Sequence, residues 1–111
     1  AETATCLAFL DINPNSVGHT LCIPKKEVDL IFDLDKDLYQ DLMNFSKKIA
    51  TALKKAVPCE RIGMSVIGLE VPHAHVHLIP INSMNDVSFK NKVKLETKDF
   101  ETLVDQIKSF L

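Results

Sequence analysis

The sequence has no excess of positive charge and no long apolar run. Its 111 residues include 13 Lys and Arg against 15 Asp and Glu, which gives a formal net charge of −2. Because modules that bind duplex nucleic acid are usually basic, we do not expect such a partner. The longest apolar stretches, such as residues 62–69, fall well short of the roughly 18 residues that cross a bilayer. The sequence therefore predicts no membrane partner either.

Cysteine is also scarce. Cys6, Cys22 and Cys59 are an odd number of widely spaced residues without a Cys-x-x-Cys pair. Such a set fits reduced thiols better than a disulfide framework, and it argues against zinc held by cysteines. A secretory signal and a lipidation motif are not apparent in the sequence. We therefore expect a cytoplasmic protein.

Four runs of the sequence have the composition and alternation of β-strands. They are residues 5–12, 17–23, 62–68 and 71–81. Because regular helical crossovers do not separate them, we predict an α+β fold with an antiparallel β-sheet. Apolar residues make up 46% of the chain, which is enough for one core and predicts a single domain over residues 1–111.

Two segments show the periodicity of amphipathic helices. Apolar residues recur at helical spacing from Asp35 to Ala56, and Pro58 follows where the pattern stops. Either Asp33 or Asp35 is expected to cap the first turn. A short C-terminal helix is also predicted, with Thr97 as its N-cap. We expect both apolar stripes to face the protein's own core.

Three of the four histidines lie between residues 71 and 80, where they alternate with apolar residues. Side chains two positions apart share one face of a strand, so His73, His75 and His77 are expected to line one side of the last strand. The apolar residues between them are expected to face the core. A merely solvated strand face rarely carries the same titratable side chain at every position, so this segment is the candidate site.

Two kinds of chemistry fit three neighbouring imidazoles. One is metal binding, in which Glu70 or Asp86 could complete the ligand shell. The other is nucleophilic attack of a neutral imidazole on phosphorus, with protonated neighbours donating to the phosphoryl oxygens and to the leaving group. We favour the second because no complete ligand shell is obvious. His75 is then the expected nucleophile, with His73 and His77 as its helpers, and no metal or other cofactor is required.

The residues resemble a known family. The segment His73 to Ile79 matches the alternating histidine signature of the histidine triad (HIT) superfamily, and two earlier blocks, Phe9 to Pro14 and Gly18 to Lys25, resemble its upstream segment. The spacing between the blocks is also similar. The resemblance implies an α+β fold with an antiparallel sheet, usually a homodimer, that acts on nucleotides whose α-phosphate carries a leaving group.

The resemblance also implies roles for individual residues. It assigns the nucleophile to His75, and phosphate contacts and proton handling to His73 and His77. Taken alone, His19 would more often be a structural histidine and Asp11 a turn former. By position, however, His19 matches the histidine that supports the phosphate site and Asp11 the acid that holds ribose hydroxyls. Ile12 matches a residue beside the nucleoside.

The function expected from this reasoning is that of a nucleotide hydrolase or transferase. It would cleave at the α-phosphate of a purine nucleotide derivative, either a phosphoramidate or a dinucleoside polyphosphate, through a covalent nucleotidyl-histidine intermediate. The alternatives are a nucleotide-binding module with little turnover and, less favoured, a histidine-rich metal-binding domain.

Several positions depart from the family pattern. Leu69 stands where many members have Gln, and residues 62–68 are shorter than in many relatives and lack a frequent Asn. Glu70 stands where some members have Ser or Thr, and we expect its charge to point away from a phosphate site. Family domains usually begin with a further strand and short helix before Phe9. Either that front part is missing from this sequence or this is a short form.

Overall fold

The computed structural model describes residues 1–111 and contains four strands and two α-helices. The strands are β1 (Cys6–Leu10), β2 (Thr20–Pro24), β3 (Arg61–Ser65) and β4 (Val76–Ile81), and the helices are α1 (Lys36–Ala56) and α2 (Thr97–Lys108). Short 3₁₀ helices cover Ile31–Asp33 and Met84–Val87. The predicted α+β class with one long and one short helix is confirmed.

All strand pairs are antiparallel, and the order in the sheet is β1-β2-β4-β3. The strand that carries the last triad histidine therefore lies inside the sheet. His77 is opposite Leu21 on one side and Ser65 on the other, and Phe9 continues the same row beyond Leu21.

The core lies between α1 and one face of the sheet. Helix α1 buries Leu42, Ile49 and Leu53, while Cys22 and Val76 are fully buried on the facing strands. Because side chains alternate along a strand, the row that contains His77 faces away from this core. As predicted, the apolar residues that alternate with the histidines are buried; they are Ala74, Val76 and Leu78.

The ends of the helices have identifiable causes. Asp35, one of the two predicted caps, accepts a hydrogen bond from the backbone N–H of Leu38 at 2.8 Å. The prediction of Thr97 as N-cap is wrong, because Glu96 takes that position and Thr97 is the first helical residue. The carboxylate of Asp99 reaches back to the backbone N–H of Glu96 at 3.0 Å, which fixes this boundary.

The predicted strand from Val71 to Ile81 is also too long, since β4 begins only at Val76. Pro72 has no N–H for a strand ladder, and the backbone N–H of His73 turns back to the carbonyl of Val71 at 2.9 Å. The N–H of Ala74 then bonds to the carbonyl of Val28, in the connection that leads to α1, at 2.7 Å. Local turn bonding therefore removes His73 and His75 from the regular sheet.

Candidate active site

The structure gathers three imidazole rings into one cluster. The ring centroids of His75 and His77 are 4.8 Å apart, and those of His19 and His77 are 5.2 Å apart. Nε2 of His73 lies 2.8 Å from the carbonyl oxygen of Pro24 at the end of β2. The expectation that all three histidines lie on the last strand is wrong, because only His77 is in β4. His19 joins His75 and His77 in the ring cluster.

A backbone hydrogen bond orients the ring of His75. Its Nδ1 lies 2.7 Å from the carbonyl oxygen of His73. A carbonyl oxygen can only accept, so this bond requires the proton on Nδ1 of His75. In the neutral ring the other nitrogen, Nε2, then carries the lone pair. The predicted nucleophile is thus held in a tautomer that is suited to attack through Nε2.

A second set of hydrogen bonds orients His19 and His77. The backbone N–H of Asn15 donates to Nδ1 of His19 at 3.0 Å, which places the proton of a neutral His19 on Nε2. That Nε2 lies 2.9 Å from Nδ1 of His77. His77 therefore accepts on Nδ1 and keeps its own proton on Nε2. The chain from Asn15 through His19 ends in an N–H donor on His77.

Burial favours the uncharged forms of the His19 and His77 rings. It is the main cause that lowers the pKa of His77 to about 4; His19, His75 and Lys92 act in the same direction, and Asp11 opposes them. Burial likewise lowers the pKa of His19 to about 4, against the opposing effect of Asp11. In the free protein at neutral pH, His77 is therefore expected to be neutral and not protonated, because a desolvated site disfavours the imidazolium. A neutral His77 still donates through Nε2.

Asp11 combines the turn role and the site role considered for it. One carboxylate oxygen accepts from the backbone N–H of Asn13 at 2.8 Å, and the other lies 3.7 Å from Nε2 of His19. Ile12, the next predicted substrate contact, is 88% exposed. Its side chain is therefore available to a ligand, and it adds little to the stability of the fold.

The carboxylates considered for a metal site do different things. Glu70 is exposed, and the carboxylate of Asp86 accepts from the backbone N–H groups of Asn82 and Ser83. Asp11, His19 and His77 do offer one potential ligand atom each within 4.8 Å of one another. Both nitrogens of His19 are already engaged by Asn15 and His77, however, so hydrogen bonding accounts for this group of residues.

Three residues of the site were not found from the sequence. The hydroxyl of Ser65, opposite His77 on β3, is buried without a hydrogen-bond partner. The ring of Phe89 packs edge-on against His77 at 4.9 Å between centroids. The Nζ of Lys92 lies 5.1 Å from the centre of the Phe89 ring. Neither of the last two has a local signal, because residues 82–96 are polar and irregular and reach the site only through the fold.

An antiparallel sheet with this histidine cluster beside its central strands defines a histidine triad protein. In agreement, the HIT domain family model matches residues 1–84. An uncharacterized HIT-like protein from Borreliella burgdorferi is 38% identical over 115 residues, which covers 96% of this chain and 83% of that protein. The chain belongs to the HIT family.

Two further relatives show how far the similarity extends. The adenosine 5′-monophosphoramidase of Saccharomyces cerevisiae is 36% identical over 80 residues, and the match covers 71% of this chain and 51% of the yeast protein. The chain thus corresponds to about half of that enzyme. The crystal structure of a HIT-like protein from Bartonella henselae aligns with a TM-score of 0.85 and 28% identity, and it covers 100% of this chain and 84% of the other.

Proposed function

We propose that this protein is a nucleotide hydrolase or transferase that cleaves at the α-phosphate of a purine nucleotide derivative. The observation that carries the proposal is the orientation of His75, whose Nδ1–H is bound to a backbone carbonyl so that Nε2 presents a lone pair. Similarity to a yeast enzyme named as an adenosine 5′-monophosphoramidase supports a phosphoramidate as substrate. A dinucleoside polyphosphate is the second substrate type that we propose.

The proposed reaction has two steps. First, Nε2 of His75 forms a bond to the α-phosphorus, and the leaving group departs with the electron pair of its bond to phosphorus and takes up a proton. Water then attacks the nucleotidyl-histidine, the P–N bond breaks, and the nucleoside monophosphate is released. We propose that the proton taken up by the leaving group comes from the imidazolium form of His73, which keeps its Nε2–H on the carbonyl of Pro24 and gives up the proton on Nδ1, an atom without a hydrogen-bond partner within the protein. The neutral ring takes up a proton from the attacking water in the second step.

Neighbouring groups supply the contacts to substrate. The Nε2–H of neutral His77 is a donor for a phosphoryl oxygen, and His19 holds it in that tautomer. We also propose the unpaired hydroxyl of Ser65 as a phosphate donor. Asp11 and Ile12 are proposed to contact the ribose hydroxyls and the nucleoside. None of these steps requires a metal.

Hydrolysis assays test this function directly. The wild type and His75→Ala are compared on adenosine 5′-phosphoramidate and on diadenosine tetraphosphate, with product formation followed by chromatography. The wild type is expected to release AMP, whereas the variant is expected to be inactive. Equal activity of the two proteins would contradict the proposal. Calorimetric binding of AMP without turnover of either substrate would instead support the alternative, a nucleotide-binding module.

We further propose that the protein forms a homodimer through β3. This strand lies at one edge of the sheet and pairs only with β4, so the backbone groups on its other side are unpaired. Met64 on β3 and Val66 and Ile67 just after it are 55%, 40% and 50% exposed. An apolar open edge favours pairing with a second strand. Sedimentation should show a dimer for the wild type and a monomer for Met64→Lys; a monomeric wild type would contradict the proposal.

None of the helices combines the length and the apolar composition that a bilayer span requires.

A further inference from the structure

We propose that Phe89 is a positioning residue of the histidine cluster: its ring keeps water away from His19 and His77 and so holds both imidazoles in their neutral, hydrogen-bonded form. The ring lies edge-on to His77 at 4.9 Å and to His19 at 6.1 Å between centroids. The two histidines are 7% and 1% exposed, although His77 faces away from the main core. The Phe89 ring is thus an apolar group that lies beside both imidazoles.

The position of Phe89 is fixed by bonds between its loop and the turn after β1. The side-chain amide of Asn15 donates to the carbonyl of Asp86 at 3.3 Å, and the N–H of Val93 donates to the carbonyl of Pro14 at 2.9 Å. Asn15 is itself buried, and its backbone N–H is the group that donates to His19. One turn therefore fixes both the tautomer of His19 and the loop that carries Phe89.

Lys92 adds a side-chain link to the same arrangement. Its Nζ donates to the side-chain oxygen of Asn15 at 2.8 Å and lies over the Phe89 ring. A cation in that position favours the observed placement of the ring. Both Phe89 and Lys92 come after residue 84, where the match to the family model ends. The part of the loop that carries Phe89 and Lys92 therefore lies beyond the region matched by the family model.

The electrostatic consequence follows from the groups around His77. The charged and titratable groups that face it are His19, His75, Asp11 and Lys92, and burial outweighs all of them as the cause of its lowered pKa. If Phe89 supplies that burial, its removal should allow both rings to protonate at higher pH. A protonated His19 can no longer accept from Asn15, so the chain of hydrogen bonds would be broken.

The test is an NMR titration of the imidazole resonances in four proteins: wild type, Phe89→Ala, Phe89→Leu and Phe32→Ala. In Phe89→Ala the pKa of His77 and His19 should rise from about 4 toward about 6.5, the value of a solvated imidazole. Phe89→Leu keeps an apolar cover and should titrate as the wild type does. Phe32, which is 89% exposed, provides a matched control that should change nothing. Unfolding curves verify that each variant is folded at the pH values used.

The catalytic consequence rests on the proposed function and is measured separately. The acid limb of the pH profile of kcat/KM for adenosine phosphoramidate should move to higher pH in Phe89→Ala and stay in place in Phe89→Leu. The inference would be overturned if the pKa values of His19 and His77 in Phe89→Ala equal those of the wild type, or if they rise equally in both Phe89 variants. If the titrations shift as expected but the wild type turns over no substrate, the role of Phe89 as cover is supported and the proposed function is contradicted.

Discussion

The ring of His75 is tied to the backbone of His73, with 2.7 Å between Nδ1 and the carbonyl oxygen. The two residues are only two positions apart, and the bond forms because the chain turns at Pro72 before it enters β4. A regular strand would not bring this carbonyl to the ring, since its carbonyl groups point toward neighbouring strands. The irregular backbone before β4 is thus what orients the proposed nucleophile.

Loss of the nucleophile should abolish turnover while binding persists. We expect His75→Ala to lower kcat by at least about 10³-fold, because the covalent step has no substitute group. Single-turnover reactions of the wild type, quenched and analysed by mass spectrometry, should show a nucleotidyl adduct on His75. AMP affinity measured by calorimetry should change little in the variant. A variant that retains the adduct would place the nucleophile elsewhere.

Stability should fall in mild acid because of the buried imidazoles. The pKa of His19 and His77 is about 4 in the folded protein, against about 6.5 for a solvated ring in the unfolded chain. Between these pH values the unfolded chain binds protons that the folded chain does not, so the free energy of unfolding rises with pH in this window. The contribution is fully present above about pH 6.5 and is lost as the pH falls toward 4.

Urea unfolding at several pH values measures this effect. One imidazole considered alone should change the free energy of unfolding by about 3 kcal/mol between the two ends of this pH window. His77→Gln removes one of the two groups and should reduce the pH dependence relative to the wild type. If the wild type unfolds with the same free energy at both ends of the window, the imidazoles are not buried as described.

Ser65→Ala should change stability and activity in opposite directions. Its hydroxyl is buried without a partner, so its removal should raise the free energy of unfolding by about 1 kcal/mol. If the hydroxyl binds phosphate, the same change should lower kcat/KM roughly 3- to 10-fold. Ser46→Ala is the matched control, because Ser46 also has a buried hydroxyl without an oxygen or nitrogen partner but lies beside the Cys22 thiol in the core. If kcat/KM changes equally in Ser46→Ala and Ser65→Ala, the proposed contact between the Ser65 hydroxyl and phosphate is contradicted.

Gly18 should tolerate alanine less well than Gly68. Both residues have positive φ, 93° and 74°, so either substitution costs about 1 kcal/mol of backbone strain. A Cβ at Gly18 would also lie 2.9 Å from Cγ2 of Val57, whereas one at Gly68 meets nothing within 4 Å. We expect about 1–3 kcal/mol of additional destabilisation in Gly18→Ala from this crowding. Thermal and urea unfolding of the two variants provide the comparison, and equal losses would contradict it.

The fold class and the main helix could be predicted because they depend on short-range patterns. The apolar stripe of α1 and its capping Asp35 are signals within a few turns of one helix, and the strand alternation correctly placed Val76 and Leu78 in the core. The boundaries were less well predicted. Individual hydrogen bonds, such as that from Ala74 to Val28, decide where β4 begins, and the partner lies far away in the sequence.

The candidate site, like the fold, could be predicted only in part. The unusual density of histidine pointed to His75 without any knowledge of the fold, and the resemblance to the HIT family added His19 and Asp11. The lowered pKa of His77 in the free protein could not be predicted from the sequence, because it depends on how completely neighbouring elements exclude water. The contribution of Phe89 was not predicted at all, since nothing near it in the sequence marks it as a neighbour of His77.

By itself the sequence determined the chemical groups and the periodic elements that carry them, because imidazole chemistry and apolar spacing are local properties of the chain. Only the tertiary structure decided which ring nitrogen of each histidine carries the proton and which rings are dry. Those properties depend on hydrogen bonds and burial between residues such as His19 and His77, which are 58 positions apart and meet only when β2 pairs with β4.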